Sequence, residues 1–264
     1  MNLGLKSKTA LVSGSTAGIG LAIAAALAAE GAKVIINGRT KARVDAALDQ
    51  LRKRVKDAEF HGVAADLGVA GGLEAIAGQI PRVDILVNNL GIFEAKTFFH
   101  IPDDDWKRLF EVNVLSGVRL TRHYLPGMLE RSWGRVIFIS SESAQQIPAE
   151  MIHYGMTKTA QVAVARGLAE SFPNCGVTFN SILAGPTASE GAVNFIDDMA
   201  KQQGITKDEF EKRFFESARP SSLLKRFETP EEVAAVAAFV ASTEAAAING
   251  SAVRAEGGVI RSIF

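Results

Sequence analysis

Tyr154 and Lys158 stand four residues apart in a stretch with helical patterning, which puts both side chains on one face of a helix. A free tyrosine titrates at about pH 10, too high for efficient proton exchange at neutral pH. A nearby ammonium favours the phenolate and lowers that value, at about 1.4 kcal/mol per unit. The pair therefore suits general acid/base work, although a surface lysine beside a half-buried tyrosine gives the same pattern. Ser141 ends the strand-like run Gly134–Ser141, where its hydroxyl could hold a substrate oxygen while Tyr154 exchanges the proton. Ser140 and Ser143 are close enough to be confused with it, and capping is the plainer role for all three. Asn113 falls inside a long helical pattern, with Gly117 close by. Asparagine competes for backbone hydrogen bonds in a helix, so it marks either a site or a solvent-facing position.

A second group could hold a nucleotide. Ser13-Gly14-Ser15-Thr16-Ala17-Gly18-Ile19-Gly20 joins the first strand to the first helix. Glycines there allow a tight turn and let backbone N–H groups approach a pyrophosphate at a helix N-terminus. The spacing is Gly-x3-Gly-x-Gly, a weak signal by itself that its place at the first strand–helix junction strengthens. Gly14, Ser15, Thr16, Gly18, Ile19 and Gly20 are the candidates. An acid ending the second strand would accept from the ribose 2′-OH of NAD. This chain has Asn37-Gly38-Arg39-Thr40-Lys41 and no acid until Asp45. Arg39 offers a planar guanidinium for a 2′-phosphate, with Lys41 adding charge. NADP(H) is favoured over NAD(H). Asp66-Leu67 could meet the adenine edge after the third strand, and Asn88-Asn89-Leu90-Gly91 brings Asn89 and Gly91 to the same rim after the fourth.

The elements that must position these residues alternate along the chain. Strands are expected at 9–13, 33–37, 60–64, 83–87, 135–140, 177–183 and 251–254. Helical patterns lie at 18–30, 40–56, 70–79, 103–131, 152–171 and 230–241. Strands apolar on both faces and separated by helices predict an α/β, doubly wound Rossmann fold, with a single mostly parallel seven-stranded sheet covered on both faces. Thr229-Pro230-Glu231-Glu232 reads as an N-cap, a proline at N1 and a capping-box glutamate. Asp103-Asp104-Asp105 places acids in a first turn, where the dipole favours them. One domain, 1–264, is expected. The stretch 188–224 fits the alternation poorly, with Phe195, Phe210, Phe214 and Phe215 set among charges, and is a candidate substrate lid. With Phe93, Phe98, Ile147 and Pro148, those rings hint at an apolar pocket.

Composition narrows the classes. The 29 basic and 29 acidic residues cancel, so there is no basic stripe for nucleic acid. No window approaches the roughly 18 uninterrupted apolar residues of a membrane span. The opening Met1-Asn2-Leu3-Gly4 lacks the apolar stretch of a signal peptide, and the single Cys175 excludes an intramolecular disulfide. A cytoplasmic protein is expected. His61, His100, His123 and His153 show no ligand spacing with Cys175 or with one another, so no metal is expected.

Together, Gly14/Gly18/Gly20, Asn88-Asn89-Leu90-Gly91, Asn113, Ser141 and Tyr154-Gly155-Met156-Thr157-Lys158 resemble, in order and spacing, the short-chain dehydrogenase/reductase family in its form of about 250 residues, including its 3-oxoacyl-acyl-carrier-protein reductases. The resemblance covers essentially the whole chain. It implies an NAD(P)-dependent oxidoreductase acting on a small-molecule carbonyl or alcohol, with Tyr154 as general acid/base and Ser141 as donor to the substrate oxygen. Lys158 would bind the nicotinamide ribose and tune Tyr154, and Asn113 would hold a water in a proton relay. Asn89 and the backbone near Thr187 would contact the cofactor, with Ser189 in place of the family threonine. A homotetramer, or a homodimer, is implied too. Two departures stand out: Leu90 replaces an alanine, and Ala184 replaces a proline in a turn against which the nicotinamide would pack, with Pro186 restoring some stiffness. An NAD-dependent alcohol dehydrogenase of the same family and a non-catalytic dinucleotide-binding regulator are the alternatives.

Overall fold

The computed structural model describes residues 2–191, 200–201 and 204–263. Seven strands form one sheet in which every pairing is parallel: β1 Thr9–Val12, β2 Lys33–Gly38, β3 Phe60–Ala64, β4 Ile85–Asn88, β5 Gly134–Ser141, β6 Val177–Ala184 and β7 Ala252–Ala255, in the order β3-β2-β1-β4-β5-β6-β7. Around it run α1 Gly18–Ala29, α2 Lys41–Arg54, α3 Gly72–Ala77, α4 Asp103–Phe110, α5 Ser116–Glu130, α6 Ile152–Ser171, α7 Lys207–Ser217 and α8 Pro230–Val240.

Both faces of the sheet are buried, because successive strand residues point to opposite sides. Ala10, Val12, Ile137 and Ile139 join the layer beneath α1, α2 and α8, whereas Leu11, Val136 and Phe138 join the layer beneath α3, α5 and α6. Helix α1 is apolar almost all round, which fits its place between the sheet and α8. The capping box of α8 forms: Glu232 N donates to Thr229 Oγ1 at 3.2 Å, and Thr229 N donates to Glu232 Oε2 at 2.8 Å. The chain runs outward from β1 to β3, then returns to place β4 on the other side of β1. That reversal opens a crevice at the carboxyl ends of β1 and β4, where such sheets bind ligands.

One expectation needs correction. The pattern at 103–131 is not one helix: a π-helical turn, Glu111–Leu115, interrupts it between α4 and α5. A π turn carries an extra residue and so rotates the side chains that follow. Asn113 lies in that turn and is buried, which rules out the solvent-facing alternative. The described phenylalanines after Ala188 pack on one another. Phe214 lies 5.1 Å from Phe215 and 5.1 Å from Phe227, and Phe210 packs with them in a small core of their own. Phe195 falls outside the described residues.

Candidate active site

The glycine turn is braced from beneath by polar side chains. Asn37, at the end of β2, accepts from Gly14 N at 3.2 Å and donates to the carbonyls of Val63 and Ala65 at 3.2 and 3.0 Å, so one amide ties β2, β3 and the turn. Asn89 donates to Ser13 O and Gly14 O at 2.9 and 3.0 Å. Ser13 Oγ accepts from the backbone of Asn89 and of Leu90, both at 3.0 Å. The turn needs its glycines. Gly14 and Gly18 have φ of 59° and 54°, a region that side chains avoid, and a Cβ at Gly20 would stand 2.4 Å from Asn89 Nδ2.

The other nucleotide candidates reach the same crevice in different states. Thr16, Gly18 and Ile19 are half-buried along the turn. Ser15 is fully buried, its hydroxyl donating to Val12 O at 2.6 Å and accepting from Asn37 N at 3.0 Å. Its side chain joins strands, and its own N–H donates to Asn37 O at 2.8 Å. Arg39 is exposed at the end of β2, while Lys41 pairs with Asp45 at 2.6 Å. Asp66 is exposed and caps Gly68 N at 2.9 Å, and Leu67 is buried beside it. Thr187 is buried and donates to Gly185 O at 2.9 Å. A Cβ at Gly18 would stand 2.9 Å from that of Ser189, so the strand exit after β6 lies over the glycine turn. Arg43 fastens it there through Glu190 at 3.2 Å. The turn containing Ala184 is held from outside: Glu228 N donates to Pro186 O and Ala188 N to Glu228 O, both at 2.8 Å. Leu90 rests on Gly14, its Cα 3.0 Å from where a Cβ there would stand.

Beside this cradle lie the reactive groups. Tyr154 and Lys158 share a face of α6, with Lys158 Nζ 5.5 Å from the Tyr154 ring centroid. Phe93 packs edge-on to Tyr154 at 6.2 Å, whereas His153 points the opposite way, buried against Trp106. Lys158 Nζ donates to Ile139 O at 2.9 Å and to Gln161 Oε1 at 3.3 Å. Asn113 accepts from Ile92 N at 2.8 Å and donates to Ile92 O and Thr157 Oγ1 at 2.9 and 3.0 Å, fixing the chain after β4 against α6. Its side chain is thus committed to the scaffold, and its own carbonyl accepts from Gln161 Nε2 at 2.6 Å. Gly91 closes the group: a Cβ there would stand 3.5 Å from Lys158 Nζ.

Electrostatics are set by burial and by one unexpected acid. Burial lowers Lys158 to about 8, with the Glu142 carboxylate holding it up against that effect. Burial also pushes the Tyr154 phenol above its ordinary value and Glu142 adds to the rise, while the neighbouring Ser141 hydroxyl offsets part of it. The downward pull expected from Lys158 does not outweigh these. Ser141 is buried, and its Oγ donates to Glu142 and accepts from Ser143 N at 3.1 Å. Glu142 in turn accepts from Arg219 Nε at 2.9 Å.

The structure therefore brings Ser141, Tyr154, Lys158 and Asn113 together beside the glycine turn. Sequence reasoning missed four residues here: Asn37, Glu142, Gln161 and Arg219. Three carried a signal, being polar residues in otherwise apolar or small-residue runs. Arg219 carried none, since its partner is 77 positions away.

Comparison with known proteins bears on the fold and the family. The model of the short chain dehydrogenase family matches residues 8–200. The chain is 48% identical over 264 residues to the uncharacterized oxidoreductase YvaG of Bacillus subtilis (strain 168), covering 100% of both. It is 31% identical to the 3-oxoacyl-acyl-carrier-protein reductase FabG of Aquifex aeolicus, covering 98% of this chain and 100% of that one. Among solved structures, the L-sorbose reductase of Gluconobacter frateurii, complexed with NADPH and L-sorbose, superposes with a TM-score of 0.93 at 29% identity, covering 100% of both chains.

Proposed function

Since the chain belongs to the short-chain dehydrogenase/reductase family of NAD(P)-dependent oxidoreductases, we propose that it reduces a ketone with NADPH, or oxidises the matching secondary alcohol, with Tyr154 as the general acid/base. The observation that carries this reading is the convergence of Tyr154, Lys158 and Ser141 beside the glycine turn that joins β1 to α1.

The residues present fit a dinucleotide. Gly14 and Gly18 hold the left-handed turn that opens α1, and Gly91 lies beside Lys158, where a Cβ would stand 3.5 Å from its Nζ. The backbone of the turn would hold the pyrophosphate, and Lys158 the nicotinamide ribose. Arg39, exposed where an acid would repel it, would take a 2′-phosphate. The NADPH in the L-sorbose reductase supports that choice of cofactor. When bound, NADPH supplies the hydride and its two electrons to the carbonyl carbon.

The chain's own groups supply the rest. Ser141 orients the carbonyl oxygen, and Tyr154 donates its phenolic proton to that oxygen as it becomes a hydroxyl. Charged Lys158 makes the resulting phenolate less costly until a proton from solvent restores it. The 188–224 segment serves the substrate side in this reading, since Arg219 reaches Glu142 beside Ser141. A cytoplasmic homotetramer or homodimer belongs to the same proposal.

The test is a panel of ketones and secondary alcohols followed at the nicotinamide absorbance with both cofactors. Tyr154→Phe is expected to lose about 10²–10⁴-fold in kcat while still binding NADPH. A near-full rate in that variant would sink the acid/base assignment.

A further inference from the structure

Glu142 directly follows Ser141 and is 4% exposed, yet it carries a carboxylate into the site. One oxygen, Oε2, accepts from the Ser141 hydroxyl; the other, Oε1, accepts from Arg219 Nε at 2.9 Å. Arg219 is itself 7% exposed and reaches on to Glu150 Oε1 at 3.3 Å. Two carboxylates thus share one guanidinium, and the cluster keeps a net negative charge. The field of Glu142 acts on both Tyr154 and Lys158, so the carboxylate stands close to where the reacting oxygen must sit.

A hydroxyl has one proton. While Ser141 donates to Glu142, it cannot donate to a substrate carbonyl. If Ser141 turned to a plain ketone, a buried carboxylate would lose a donor, which is unfavourable. A substrate with a hydroxyl on the carbon next to the carbonyl removes that conflict. Its carbonyl takes the Ser141 proton, and its own hydroxyl donates to Glu142 in place of Ser141. No buried hydrogen bond is lost. Oxygens on adjacent carbons also sit about as far apart as two hydrogen-bonded oxygens, roughly 2.8 Å, so one substrate edge can span both partners.

We propose that Glu142 is a substrate-binding residue that accepts this adjacent hydroxyl, making hydroxylated ketones of the ketose type the substrate class. Plain ketones lack the donor. Substrates with an anionic group at that carbon meet like charge instead. This inference rests on the reductase reading above and adds the substrate to it.

The experiment compares two ketones of equal size, hydroxyacetone and 2-butanone, with NADPH as the reductant, in the wild type, in Glu142→Gln and in the double variant Glu142→Gln/Arg219→Met. The double variant removes both charges, so a folding loss caused by a stranded Arg219 is separated from a loss of recognition, with melting temperature as the check. In the wild type, kcat/KM for hydroxyacetone is expected to exceed that for 2-butanone by about 10–100-fold. In both variants that ratio is expected to fall towards one. Equal use of the two ketones by the wild type would overturn the proposal. So would an equal fall on both ketones in both variants, which would make Glu142 an anchor for the 218–222 segment. Turnover of no ketone at all, with Tyr154→Phe matching the wild type, removes the reductase reading and this inference with it.

Discussion

The ammonium of Lys158 and the side-chain amide of Gln161, one turn apart on α6, are hydrogen-bonded at 3.3 Å, and the same amide donates to Asn113 O at 2.6 Å. A single side chain therefore links Lys158 to the π-helical turn that carries Asn113. Because Gln161 accepts from Lys158, it favours the charged form of a lysine whose value burial lowers.

Removing that acceptor should lower the Lys158 value further below about 8. The expected result for Gln161→Leu is a basic limb of the kcat/KM–pH profile displaced to lower pH by about half a unit to one unit. Cofactor affinity measured at pH 6, where Lys158 stays charged, should change little. A rate loss uniform across the pH range would point to a packing defect instead.

Arg39 is the exposed cation at the end of β2. Arg39→Asp replaces a phosphate partner with a group that accepts from a ribose hydroxyl and repels a phosphate. NADPH should lose about 10–100-fold in kcat/KM, and NADH should gain or hold. Unchanged preference between the two cofactors would rule out Arg39 as the discriminating residue.

Glu228 braces the strand exit after β6, and burial raises its carboxyl to about 7, the neighbouring Glu232, Glu256 and Glu142 adding to the rise against a hydrogen bond from the Gly185 backbone. The folded chain thus holds this proton more tightly than the unfolded chain does. The resulting stability is present below the ordinary carboxylate range and is lost as pH rises through about 7. Glu228→Gln should therefore melt higher than the wild type at pH 8, by roughly 2–4 °C for each kcal/mol recovered. At pH 5 the two should nearly coincide. Calorimetry at both pH values makes the comparison.

At Gly20 the close neighbours are Asn89 Nδ2 and Gly14 O, 2.4 and 2.8 Å from where a Cβ would stand. Gly20→Ala should push the Asn89 amide off Ser13 O and Gly14 O and deform the cradle. A fall in melting temperature is expected together with at least tenfold weaker NADPH binding, read as a smaller thermal shift on adding the nucleotide. Full retention of that shift would show that the turn tolerates the methyl group.

Most of the strand and helix order was legible because its determinants are local: apolar runs, helix periodicity and caps such as Thr229 and Glu232 repeat within a few residues. Helix–strand junctions were readable for the same reason, which is how the glycine turn and the Tyr154–Lys158 spacing stood out. The π turn at Glu111–Leu115 was not legible, since the one-residue shift it puts into the apolar spacing is no larger than the ordinary scatter of a helical pattern. Ser15 looked like a ligand contact from its place in the glycine turn, but the strand register turned its hydroxyl inward to Val12 and Asn37.

By itself, then, the order of residues determined the doubly wound fold, the place of the crevice and the spacing of Tyr154 and Lys158, because each depends on neighbours within a turn or a strand. Only the tertiary structure decided what those groups touch. It alone joined Glu142 to Arg219, Gln161 to Asn113 and Asn37 to Gly14, and it set the upward shift of Tyr154 and the downward shift of Lys158. The reason is physical: burial and field act through space, so a charge 77 positions away in the chain counts as much as the adjoining residue once folding has brought the two within 2.9 Å.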